Sequence, residues 1–282
     1  MIHIVLFLLT FASTWFVGGI LYSLSIMSIL FAHEMGHYIM SRRYGIPATL
    51  PYFIPFPLSP FGTFGAIIKM KGIIINKRAL FDIGVGGPLA GFIVSLPFIY
   101  VGIKLSHVGP IPAHQGFLEL GDPLLFKLFQ IALVGEIPDG HDLILHPFAY
   151  AGWVGLFVTA LNLLPAGQLD GGHIVYAVFG ERSRKIYMLV LLVLGIYAVF
   201  FNQGWLALVI LLFIFGMRHP RPIDMETGLD SKRRLLALVI LIIFILSFTP
   251  KPFPSLTIDR EMERLKEPKE VVASLEAGLL SP

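Results

Sequence analysis

Apolar residues run almost unbroken from Ile2 to Met40, and no lysine or arginine interrupts them before Arg42. One helix over that stretch would reach about 58 Å at 1.5 Å per residue, far beyond the roughly 30 Å of a bilayer's hydrocarbon core. Gly18-Gly19 supplies a break, so the pattern predicts two spans joined by a tight turn. Further apolar stretches cover about Ile83 to Ile103, Pro147 to Leu164 and Leu235 to Phe248, with a shorter pair, Ile186 to Phe201 and Trp205 to Met217, around Asn202-Gln203-Gly204. At about 20 residues per crossing, this is an all-α polytopic membrane protein of about seven transmembrane spans. The short pair reads alternatively as one re-entrant hairpin.

The pattern changes in two places. Prolines at 51, 55 and 57 exclude helix from Leu50 to Pro57, and Gly62 to Met70 reads as a turn followed by a short strand. After Pro250 the apolar pattern stops and a charged tail, 251–282, begins. Within it, Ile258, Met262 and Leu265 at helical spacing predict a short amphipathic helix that Pro268 ends.

Composition removes most other classes. The chain is 56% hydrophobic and 14% charged, against a usual charged share of about 25%, and its mean hydropathy is +0.80. These values belong to an integral membrane protein embedded in a lipid bilayer. The N-terminus has neither a basic n-region nor a small-residue cleavage site, so the first stretch reads as a retained span rather than a signal peptide. The formal charge of +3 does not imply nucleic acid, because the basic residues fall in short clusters between apolar stretches. Arg42 and Arg43, Lys69 to Arg78, Arg182 to Lys185, and Arg218 to Arg234 mark cytoplasmic ends, whereas Lys104 to His146 carries Glu119, Asp122, Glu136, Asp139 and Asp142 and should face outside. The termini then lie on opposite sides. With no cysteine, any metal must be held by His, Asp or Glu.

The chemistry sits in His33-Glu34-Met35-Gly36-His37, at the cytoplasmic end of the second span. Residues four apart share a helix face, so His33 and His37 can offer two imidazoles to one zinc ion while Glu34 stands beside it as general base. Such a string arises by chance in roughly one chain of this length in a hundred. A charged residue at bilayer depth costs about 2.5–3.5 kcal/mol on insertion scales, however, which argues that Glu34 is there for function. Catalytic zinc usually takes three protein ligands and keeps one position open. Asp170, in Asn162-Leu163-Leu164-Pro165-Ala166-Gly167-Gln168-Leu169-Asp170-Gly171-Gly172-His173 at the end of the fourth span, is the candidate third ligand, brought to the same depth by the charge rule. Pro165 and Gly167 interrupt helix there, as backbone lining a polar cavity does. An isolated Asp-Gly pair would otherwise read as a loop turn.

These two motifs, in this order, resemble the site-2 protease family of intramembrane zinc metalloproteases: HEMGH matches its H-E-x-x-H, and NLLPAGQLDGGH its N-x-x-P…LDGG element. Phe61 to Ala66, Asp82 to Gly91 and Arg218-His219-Pro220 are similar to a prokaryotic and plastid branch. The resemblance covers most of residues 1 to about 250. It implies a membrane-embedded metalloprotease domain, 1–250, with a catalytic core of about 20–175 formed by the second, third and fourth spans. It also implies one Zn2+ per chain, substrates that are transmembrane segments of other proteins, and a multi-pass place in a prokaryotic cell membrane with the active site near the cytoplasmic side. No stretch offers the roughly 80–100 polar-patterned residues of a PDZ module, so recruitment by PDZ is not expected.

On this reading His33, His37 and Asp170 hold zinc, which lowers the pKa of its water toward about 7, and Glu34 carries the proton to the leaving amine. Asn162 could donate its amide to the oxyanion or could serve only as a polar helix contact. His173 is a possible partner of the ligands, whereas His107, His114, His141, His146 and His219 are read as loop residues outside the chemistry. The Gly62 to Met70 strand could pair with an unwound substrate or could simply pack over the core. Gly84, Gly86, Gly87 and Gly91 are read as permitting close helix packing. The alternatives to a protease are a metal permease or a chaperone of the same fold. A permease would need polar groups along a crossing path, and the spans offer few beyond the two motifs.

Overall fold

The computed structural model describes residues 1–110, 121–215, 222–224 and 226–251. The expected tail helix, the Arg218-His219-Pro220 element, His114 and the end of the sixth span lie outside these residues.

Helix α1, Ile2–Arg43, is a helical hairpin rather than one rod. It breaks at Gly19 (φ 79°, ψ 175°), backbone space that is essentially reserved to glycine. Thr14 Oγ1 meets Ser23 Oγ at 2.7 Å, and Ser23 Oγ donates to the Phe11 carbonyl at 3.0 Å. Nine residues of straight helix would separate Thr14 and Ser23 by about 13 Å. The break expected at Gly18-Gly19 is therefore present, and hydroxyls close it.

A β-hairpin lies along these arms. Strand β1, Tyr52–Pro55, pairs antiparallel with β2, Thr63–Ile67, with Tyr52 opposite Ile67 and Pro55 opposite Thr63. His3 Nδ1 donates to the Pro51 carbonyl at 3.1 Å at one end. At the other end three successive carbonyls each take a hydroxyl: Pro60 from Tyr150 (2.8 Å), Phe61 from Tyr22 (2.9 Å) and Gly62 from Ser13 (2.5 Å). From the level of His3 to that of Ser13 is about 15 Å of helix rise. Backbone held at such a depth among apolar helices needs protein partners, which the hydroxyls supply.

Helix α2, Lys77–Leu105, is the central element, started by Asn76 accepting the Ala79 amide at 2.9 Å. Small residues let it touch both neighbours. A β-carbon at Gly36 would stand 2.1 Å from the Gly86 carbonyl, and one at Gly102 would stand 2.1 Å from the Ala149 amide of α4, Pro147–Asn162. Gly155 meets Ser95 in the same way. Helix contact in lipid rests on this kind of close approach.

The region read as an acidic loop has structure of its own. Strands β3, His107–Pro110, and β4, His141–Ile144, pair antiparallel, with α3, Leu124–Leu133, between them in the chain. His107 and His141 are thus strand residues, and His146 caps α4 by accepting from the Phe148 amide. Four-residue strands carry too little alternation to be read from sequence.

The larger departure follows Asn162. The interruption expected at Pro165 and Gly167 is present as a turn at 165–169, but it is short: α5, Asp170–Phe179, follows at once and leads through a 3₁₀ turn into α6, Ser183–Phe200. Asn202 accepts the Gly204 amide at 2.9 Å in the expected turn before α7, Leu206–Phe215, and α8 covers Ser231–Ser247. Among the described residues, three helices are long and apolar enough to cross a membrane: Ile2–Arg43, Lys77–Leu105 and the continuous Asp170–Phe200. At 16 and 17 residues, α4 and α8 are shorter than that length, and the described part of α7 covers 10.

Candidate metal centre

The second arm of α1 carries His33, Glu34 and His37, all buried, toward α2 and α4. The one-turn spacing brings the two Nε2 atoms to 3.1 Å. Asp170 Oδ2 lies 3.3 Å from His33 Nε2 and 3.2 Å from His37 Nε2, which closes a triangle. The Nδ1–H of His37 donates to the Ile83 carbonyl at 2.8 Å, and this turns the Nε2 lone pair into the triangle. The structure thus unites the three residues expected as ligands, drawn from two motifs 133 positions apart between His37 and Asp170.

The donor set fits zinc. Two imidazole nitrogens and one carboxylate oxygen are a catalytic zinc set that leaves a fourth position open. A tetrahedral ion with N and O ligands at about 2.0–2.2 Å separates them by about 3.3–3.5 Å, and the observed edges are 3.1, 3.2 and 3.3 Å. Nothing in the triangle neutralises three converging acceptors unless a cation or protons occupy it.

Two sets of glycines make the approach possible. A β-carbon at Gly87 would stand 2.0 Å from His37 Nε2, and one at Gly91 would stand 3.2 Å from the Nδ1 of His33. These positions, expected to serve helix packing, are also the floor under the two imidazoles. Their four-residue spacing, which mirrors that of His33 and His37 on an antiparallel helix, was the available signal. The second set turns the chain at Asp170. A β-carbon at Gly171 would fall 2.0 Å from the Leu163 carbonyl, and one at Gly172 would fall 2.5 Å from that of Ala166. Only glycines let α5 start this tightly on the preceding turn, with Asp170 as its first residue.

Glu34 stands beside the triangle, and the backbone amide of Ile68, immediately after β2, lies near enough to its carboxylate to favour the charged form. That amide was not foreseen, because backbone groups carry no sequence signature. Asn162, the last residue of α4, places its amide nitrogen 3.3 Å from His33 Nε2. His173 lies one turn into α5 and packs where a β-carbon on Gly84 would touch it at 3.2 Å.

Residues 21–201 match the model of peptidase family M50, and both motifs lie within that stretch. The chain belongs to peptidase family M50. This is the site-2 protease family to which its motifs point. Among its M50 relatives, the probable zinc metalloprotease EGY2, chloroplastic, of Oryza sativa subsp. indica is 31% identical over 246 residues, covering 84% of this chain and 43% of that protein. The probable zinc metalloprotease EGY1, chloroplastic, of Oryza sativa subsp. japonica is 36% identical over 165 residues, covering 56% and 28% respectively. The chain therefore spans less than half the length of these relatives. A solved site-2 protease from Methanocaldococcus jannaschii aligns over 81% of this chain and 93% of its own, at a TM-score of 0.39 and 18% identity.

Proposed function

We propose that this chain is a zinc-dependent intramembrane endopeptidase that hydrolyses peptide bonds within or beside transmembrane segments of other membrane proteins. The observation that carries this reading is the meeting of three elements at one point: the His33, His37 and Asp170 donor triangle, the Glu34 carboxylate, and the backbone at the end of β2. Among the described residues, no strand pairs with the second edge of β2. A substrate segment unwound to an extended form can add to that edge by backbone hydrogen bonds, which brings its carbonyls to Glu34. A metal permease or a chaperone would leave Glu34 without a task.

His33, His37 and Asp170 are the residues that hold zinc. When bound, zinc supplies Lewis-acid polarisation of the scissile carbonyl and acidifies water. Glu34 accepts the proton of the attacking water and returns it to the leaving amine. Asn162 aims its amide at the oxyanion, and the floor of Gly87 and Gly91 keeps both imidazoles fixed in one orientation.

The two arms of α1 each cross the bilayer in this reading, and α2, α4, α6, α7 and α8 bring the crossings to seven, in a membrane-embedded domain of residues 1–250. His37 lies six residues before the end of α1 at Arg43, about 9 Å of rise, so the centre is shallow and on the side of the Arg42 and Arg43 cluster, the cytoplasmic one. The test is cleavage of single-span peptides reconstituted with the purified chain. Products cut within the span and lost on adding a zinc chelator support the proposal. Zinc-independent cutting, or cutting confined to soluble loops, contradicts it.

A further inference from the structure

At the rim of the membrane domain, three elements meet on one carboxylate. Arg233, three residues into α8, forks onto Asp82 of α2, with Nε to Oδ1 at 2.8 Å and Nη2 to Oδ2 at 2.6 Å. Its remaining nitrogen, Nη1, is held by Asp230 Oδ2 at 2.5 Å. Tyr44, the residue that ends α1, donates its hydroxyl to Asp82 Oδ2 at 2.5 Å and accepts Arg233 Nη2 at 3.2 Å. A bidentate guanidinium–carboxylate pair is among the strongest and most directional contacts that side chains make.

Asp82 directly precedes Ile83, whose carbonyl fixes the ring of His37. The next turn of α2 is held by backbone packing and the buried Val85 rather than by hydrogen-bonding side chains. Gly84, Gly86 and Gly87 offer no side chains, and Pro88 cannot donate the amide that would tie the Gly84 carbonyl. Helix α8 packs Ile240 and Ile243 into one buried cluster with Leu80, Phe81 and Val85 of α2, and its Arg233 grips α2 one residue from the group that orients a metal-site imidazole.

We propose that Arg233 is a positioning residue for His37, acting through Asp82 and the Ile83 carbonyl, so that the seating of α8 sets how well the centre holds zinc. This rests on the reading of His37 as a zinc ligand. Loss of a group that orients a metal-bound histidine directly costs about 10–100-fold in metal affinity. Arg233 acts one residue further out, so the lower end of that range is expected.

The experiment measures zinc affinity of the purified full chain by competition with a chromophoric chelator, in wild type, Arg233→Gln, Arg233→Lys and Tyr44→Phe, with thermal melts of the zinc-free proteins alongside. The expected result is about 10-fold weaker zinc binding in Arg233→Gln. Arg233→Lys, which keeps the charge and loses the fork, should fall between it and wild type, and excess zinc should restore cleavage. A melt lowered in Arg233→Gln at unchanged zinc affinity makes the clamp purely structural and overturns the proposal. Should Arg233→Gln fail to fold, unchanged affinity in both Arg233→Lys and Tyr44→Phe overturns it equally. A wild type that binds no zinc would sink the underlying metal reading instead, an outcome distinct from both.

Discussion

The imidazole of His37 rests on the bare backbone of Gly87, where a β-carbon would stand only 2.0 Å from Nε2. Gly87→Ala must displace either the ring or α2, at a cost of about 1–3 kcal/mol if the core absorbs it. Displacing the ring breaks the triangle. The expected outcome is zinc affinity reduced at least about tenfold, measured by chelator competition. Gly91→Ala, whose β-carbon would stand 3.2 Å from His33 and so asks for a smaller shift, should be milder in the same assay.

The hydroxyls at the hairpin tip give a second prediction. Tyr22→Phe and Tyr150→Phe each delete one hydrogen bond to the tip carbonyls and should cost about 0.5–1.5 kcal/mol in thermal or denaturant melts. Ser13→Ala should cost less, because the Gly62 carbonyl also takes the Phe56 amide at 3.1 Å. If β2 presents substrate, the double variant Tyr22→Phe with Tyr150→Phe should raise KM for cleavage more than it lowers kcat. An unchanged KM in a correctly folded double variant would separate the hairpin from substrate binding.

Gly19 permits a conformation that a β-carbon makes costly, φ 79° with ψ 175°. Gly19→Ala should destabilise the α1 hairpin by about 1–3 kcal/mol, read as a lowered melting midpoint. Nothing lies within 4 Å of a β-carbon at this position, so backbone strain is the sole expected cause.

Much of this centre could be read from the chain because its parts are local. His33, Glu34 and His37 share one helix face by spacing, and Gly18-Gly19 announced the break that makes α1 a hairpin. Asp170 was legible as a partner of His33 and His37 but not as the start of a helix, since proline and glycine around it signal interruption and the tight return permitted by Gly171 and Gly172 is a tertiary contact. The Ile83 carbonyl and the Ile68 amide were invisible because every residue has such groups. Arg233 and Asp82, 151 positions apart, looked like two more topology charges, and only the fold makes them a pair. The double task of Gly87 and Gly91 was hidden for a related reason: a small residue in a span always has packing as a sufficient explanation.

Asn162 separates binding from chemistry. Its amide nitrogen lies 3.3 Å from His33 Nε2, at one corner of the donor triangle. If it donates to the oxyanion, Asn162→Ala should lower kcat about 10²–10³-fold while zinc content stays near one per chain. Loss of zinc in parallel with activity would make it a support of His33 instead.

Glu34→Gln tests the central claim most directly, by single-turnover cleavage of a reconstituted single-span peptide with zinc content measured on the same samples. The side chain keeps its shape and loses the capacity to take a proton, so the account predicts full zinc occupancy with cleavage reduced at least about 10²–10⁴-fold, the usual share of general acid–base catalysis. Cleavage by Glu34→Gln at the wild-type rate would contradict it.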